Sequence, residues 1–104
     1  MRLAVSLLGV LLCVQPSLVL AAEATSQAVF EQLKSLAGDW RSRKEGSATV
    51  VNYRVIANGS TVVESWTMSP TRQSMTVYTL DGDRLLATHY CPQGNAPRLQ
   101  LTQT

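Results

Sequence analysis

Three side chains in this sequence carry chemistry worth placing: Glu64, His89 and Cys91. Glu64 falls in an alternating tract where every second residue is apolar, so strand geometry sets it beside Val51, Tyr53, Val55, Val62, Trp66 and Met68. A carboxylate among such neighbours is costly unless it is paired or takes up a proton. It is therefore a candidate general base or ligand anchor. The plainer reading is an acceptor for Tyr53, Tyr78 or an arginine. His89 is the one histidine, and Cys91 two residues on puts a thiol on the same side of a strand as the imidazole. Two such ligands fall short of the three or four that zinc takes, and Glu64 would have to complete the set. Cys91 as nucleophile needs His89 as its base. The sequence offers no third member and no nucleophile elbow. A hydrogen-bonded histidine and an unreactive thiol are the ordinary alternatives. No metal or cofactor is implied; the one cofactor weighed is haem, through His89.

The elements that must position these residues follow from period and turn chemistry. Thr25 or Ser26 caps a helix over 25–37, with Val29, Phe30, Leu33, Leu36 and Ala37 on one stripe and Gly38 at its C-terminal cap. From Asp39 the period changes to two, with turn signals about every eight to twelve residues, the pattern of an antiparallel all-β meander. Strands are expected near 39–44, 48–57, 60–68, 74–81, 84–91 and 97–102. Asn58-Gly59 accepts positive φ at both central positions of a type I′ hairpin. That turn pairs Val55 with Val62, Tyr53 with Glu64 and Val51 with Trp66. Asn52, Arg54, Ser65 and Thr67, with Val50, Ile56 and Val63, take the opposite, more polar face. Asp81-Gly82-Asp83 turns a second hairpin, but two- and three-residue loops both fit and shift the partners by one. Leu85, Ala87, His89 and Cys91 share one side of the fifth strand. Gly94-Asn95-Ala96-Pro97 reads as a turn before the last strand.

The first 22 residues read as a signal peptide: Arg2 gives the positive start, Leu3 to Leu20 the apolar run, and cleavage fits after Ala22 or Ala24. Gln15-Pro16-Ser17 interrupts the run and no basic stop-transfer cluster follows, so no stable membrane insertion is expected after cleavage. The domain then spans 23–104 and works outside the cytoplasm, in the periplasm or beyond. Cys13 leaves with the signal, and Cys91 alone cannot form an internal disulfide. Of nine Lys and Arg, Arg2 is lost, and the rest are scattered among seven acids. There is no basic stripe for a phosphate backbone, so nucleic acid is not an expected partner. A domain this small is marginal on its own. Open sheet edges invite a homodimer.

The run Leu36-Ala-Gly-Asp-Trp40, the tract Tyr53 to Glu64, the segment Met75 to Asp83 and the run Thr88-His-Tyr-Cys-Pro-Gln-Gly-Asn-Ala-Pro-Arg98 resemble a family of uncharacterised bacterial exported proteins with a lipocalin-like β-barrel. The resemblance implies a mainly β, calycin-type fold whose N-terminal helix closes one end. Gly38-Asp39-Trp40 is similar to the Gly-x-Trp that opens the first lipocalin strand. Arg98 would then pack on Trp40 or bind an anionic ligand. Family members run on for further strands, so a truncated frame or a half-barrel completed by a partner is expected. A closed barrel needs roughly eight strands. The resemblance carries no established reaction.

The functional expectation is an exported module binding a small apolar or amphipathic molecule through Tyr53, Glu64, Trp66, His89 and Arg98. Its alternatives are a hydrolase or isomerase that uses Glu64 and His89 as acid and base, and an incomplete domain without independent activity. Convergence of Glu64 and His89 on one cavity separates catalysis from the rest.

Overall fold

The computed structural model describes residues 14–15 and 24–102. The expected signal segment lies outside the described residues, Val14 and Gln15 apart. Among the described residues no helix is long and apolar enough to cross a membrane. The described residues form one helix, α1 (Ser26–Ser35), and six strands: β1 (Gly38–Arg41), β2 (Val50–Ile56), β3 (Thr61–Ser69), β4 (Arg72–Asp81), β5 (Arg84–Tyr90) and β6 (Arg98–Gln100). The strands pair antiparallel in chain order as a single meander. β1 and β6 are its edges and do not pair with each other, so the sheet is open.

Helix α1 begins where the Thr25 hydroxyl accepts from the Ala28 amide at 3.1 Å. It ends two residues short of expectation. Leu36 closes it with a tightened bond to the Leu33 carbonyl at 3.1 Å, and Gly38, at φ +128°, opens β1 instead of capping the helix. The Trp40 indole then donates back to the Leu36 carbonyl at 2.7 Å, supplying a free acceptor at the helix end with a partner. At its other flank Lys34 bridges Glu31 at 3.0 Å and reaches the Gly59 carbonyl at 3.4 Å, which ties the helix to the first long hairpin.

That hairpin turns as its sequence demands. Asn58 at φ 55°, ψ 39° and Gly59 at φ 84° occupy the two left-handed positions, and the Ser60 amide bonds the Ala57 carbonyl at 3.2 Å. The register is Val55 to Val62, Tyr53 to Glu64 and Val51 to Trp66. Asp81 pairs with Arg84, so the open choice in the second hairpin resolves to a two-residue loop with Gly82 at φ +60°. Between β3 and β4 the register slips at Met68, because Ser69 must meet Arg72 across a tight Pro70-Thr71 turn. The first and last strands are shorter than expected, since Lys44 to Ser47 turn upon themselves and Cys91 to Pro97 form a loop.

Alternation carries the pairing into two faces. One holds Trp40, Val51, Tyr53, Val55, Val62, Glu64, Trp66, Thr76, Tyr78, Leu85, Ala87 and His89. Helix α1 lies on this face, where Phe30, Val62 and Leu85 form the buried core, packed by Val29, Leu33, Tyr53, Tyr78, Leu80 and Leu101. Burying a side chain the size of Phe30 contributes roughly 1.5–3 kcal/mol, a large share of what a small domain has. The helix covers only the end of the face near the Asn58-Gly59 and Gly82-Asp83 turns. Trp40 and Trp66, further along, stay 51% and 37% exposed.

Candidate functional site

Beside the core, the helix-bearing face is crossed by one row of aligned residues: Gly38, Tyr53, Glu64, Thr76 and His89, each the direct partner of the next on β1 to β5. The Asn58-Gly59 hairpin fixes Tyr53 against Glu64, and the Pro70-Thr71 and Gly82-Asp83 turns carry the row on through Thr76 to His89. Four polar residues thus lie side by side between apolar rows.

Glu64 sits at the centre and both of its carboxylate oxygens are engaged. Oε1 accepts from the Trp66 indole at 2.5 Å, two residues along the same strand, and Oε2 accepts from the Tyr78 hydroxyl at 2.9 Å. Burial, and then the bond to Glu64 and its charge, hold the Tyr78 phenol well above its ordinary range. Burial first, then the same carboxylate, push the Tyr53 phenol up to about 12. Of the partners expected for Glu64, Tyr78 is therefore present; no arginine bonds it among the described residues.

His89 is held by its neighbour. Its Nδ1 lies 2.9 Å from the Thr76 hydroxyl, and Thr76 is itself buried. Thr76 is no candidate in the sequence, although a threonine flanked by Met75 and Val77 in a strand is a signal of a buried hydrogen bond. Glu64 and His89 share a face, but β4 stands between their strands, which spaces them by roughly 10 Å. Neither bonds the other. Cys91 follows β5, partly buried, with its amide bonded to the Asn95 carbonyl at 2.9 Å, and its thiol makes no hydrogen bond to His89 among the described residues. No group of three or more His, Cys, Asp or Glu is close enough to hold a metal ion among the described residues.

Arg98 does not join this row. The His89 amide bonds the Pro97 carbonyl at 3.0 Å, which pairs Thr88 with Arg98 and turns the arginine to the opposite face. It lies on the far edge strand from Trp40, so the expected packing of the two is absent. Arg98 instead borders a hollow of about 330 Å³ on the other side of the sheet, with Val77, Thr79, Leu86, Thr88 and Tyr90.

The helix-bearing face opens into hollows on both flanks of α1. One, of about 280 Å³, is lined by Leu36, Trp40, Val51, Tyr53 and Trp66. The other, of about 310 Å³, lies on the far flank of α1 against Leu33, Tyr78, Leu85 and Leu101. The first is almost wholly aromatic and aliphatic, with Glu64 bonded to one wall residue and paired with another. Such a surface has the make-up to take an apolar body and direct one polar group; its lining residues include no nucleophile with a base in reach. Compared with known proteins, the chain matches no protein family, no curated protein and no solved structure.

Proposed function

We propose that this chain is an exported, non-catalytic binding module, built as part of a lipocalin-like barrel, that holds a small apolar or amphipathic molecule against Tyr53, Glu64 and Trp66. The observation that supports it is the Glu64 carboxylate, oriented by Trp66 and Tyr78 beside the aromatic and aliphatic wall of a half-open face. Oriented polar groups set in apolar walls are the ordinary make-up of small-molecule sites. His89, fixed by Thr76 at the end of the same row, is placed to meet a second polar group of the ligand. Arg98, on the other face, has no part in this site. Native mass spectrometry of the chain isolated from its own host tests the reading: a retained small molecule is the expected result. Clean apo protein that also ignores a panel of lipophilic fluorescent probes would refute it.

The shared face of Glu64 and His89 favours one second reading, acid–base catalysis on a substrate spanning the row. Turnover of ester or isomerisable model substrates, lost in both Glu64→Gln and His89→Ala, would establish it. The unpaired backbone edges of β1 and β6 support self-association as a homodimer, which sedimentation of the chain reads directly.

A further inference from the structure

The hollow lined by Leu36, Trp40, Val51, Tyr53 and Trp66 has a composition that sorts ligands by charge. Three of its five wall residues are aromatic. An aromatic face is the negative end of a quadrupole and attracts cations, most strongly from tryptophan and from guests that shed water easily. Both tryptophans of the chain are here.

Each ring is held in place. Trp40 is pinned by its indole bond to the Leu36 carbonyl at 2.7 Å, and Trp66 by its indole bond to Glu64 at 2.5 Å. A carboxylate that accepts from an indole N–H pushes electron density into the ring, which strengthens its negative face. The third wall, Tyr53, is the direct cross-strand partner of Glu64, so the carboxylate neighbours two of the three rings.

The charge balance points the same way. In the two rows that frame the hollow, Trp40, Val51, Trp66, Ser74 and Gly38, Tyr53, Glu64, Thr76, His89, the one acid is Glu64, and no lysine or arginine is present. Arg41 and Arg54 follow Trp40 and Tyr53 directly in the chain but alternation turns them to the opposite face, and on the face of the hollow the nearest strand cation is Arg72, at the exposed start of β4. An anionic ligand would sit close to a carboxylate that no cation offsets. A cationic one finds three aromatic walls and a fixed negative charge beside them.

We infer that the Trp40, Tyr53 and Trp66 hollow, backed by Glu64, binds an organic cation of the alkylammonium class. The inference rests on the binding-module reading above and specifies the polar end of the ligand. It adds no chemistry: nothing is bonded or transferred, and the ammonium replaces water at the rings.

Because both tryptophans wall the hollow, the intrinsic emission of the full chain reports its occupancy. Choline is the probe, and its neutral isostere, with a tert-butyl group in place of trimethylammonium, is the control of equal size. Saturable quenching by choline, with the isostere weaker by about tenfold, is the expected result. Glu64→Gln should weaken choline by about five- to tenfold and leave the isostere unchanged. Trp40→Leu, which loosens the helix end but leaves the Phe30, Val62 and Leu85 core in place, should abolish the preference between the two and decides the matter if Glu64→Gln fails to fold. Equal quenching by both probes, or none by choline, overturns the inference. Lipophilic probes that still bind in that case leave the binding module standing without its cation preference; failure of both removes the module as well.

Discussion

Raising the pH through the tyrosine range tests the Glu64 cluster without altering a residue. The Tyr53 phenol titrates near 12 instead of the ordinary 10.0, because it is partly buried and because the Glu64 carboxylate lies beside it. Tyr78, bonded to the same carboxylate, is displaced in the same direction. In the unfolded chain both are ordinary phenols. Between pH 10.0 and about 12 the unfolded chain therefore gives up protons that the folded chain keeps, and linkage makes folding less stable as pH rises through that window. Below it the contribution is fully present. A two-unit displacement corresponds to about 2.7 kcal/mol. Tyr53 remains partly open to solvent, and screening reduces its share to about 1 kcal/mol. Urea melts across the window should show the midpoint falling while phenolate absorbance of the folded chain lags that of the denatured chain. In Glu64→Gln the burial contribution stays and the charge contribution goes, so the lag should shrink without disappearing. A folded chain whose tyrosines all titrate like free phenols, or a lag untouched by Glu64→Gln, would refute the cluster.

Phe30→Ala removes the one fully buried helix side chain and should cost about 3–5 kcal/mol, enough to unfold much of the chain at room temperature, as circular dichroism would record. Gly59→Ala forces a β-carbon onto φ +84° and should cost about 1–2 kcal/mol in urea melts, whereas Ala57→Gly, which relieves a residue at φ 52°, should leave stability unchanged or raise it by up to about 1 kcal/mol. Thr76→Val leaves the His89 Nδ1 without its partner inside the sheet; a loss of about 1–3 kcal/mol and a changed imidazole nitrogen signal in NMR spectra are expected.

How far the sequence reaches depends on whether a residue is placed by its own turn or by a distant one. Asn58-Gly59 selects one turn, the turn selects one register, and that register sets Tyr53 against Glu64 and Val51 against Trp66, so half of the site is legible from two residues. Thr76 and His89 are not legible in the same way. Asp81-Gly82-Asp83 admits two loop lengths, and since a slip of one residue exchanges the faces, only the observed pairing of Asp81 with Arg84 puts His89 on the side of Glu64. Arg98 shows the cost of a longer connection. Cys91 to Pro97 is long enough to deliver the last strand in either register, and the bonds from Cys91 to Asn95 and His89 to Pro97 choose the one that sends Arg98 away from Trp40. The helix contributes in a third way. Its stripe is plain in the sequence, but its end is set by the Trp40 indole, a residue of the next element that takes the Leu36 carbonyl. That single bond does double service, since it closes the helix and holds upright one wall of the hollow. The aromatic site and the helix end are therefore one structure, and a substitution at Trp40 must register in both ligand preference and helix stability.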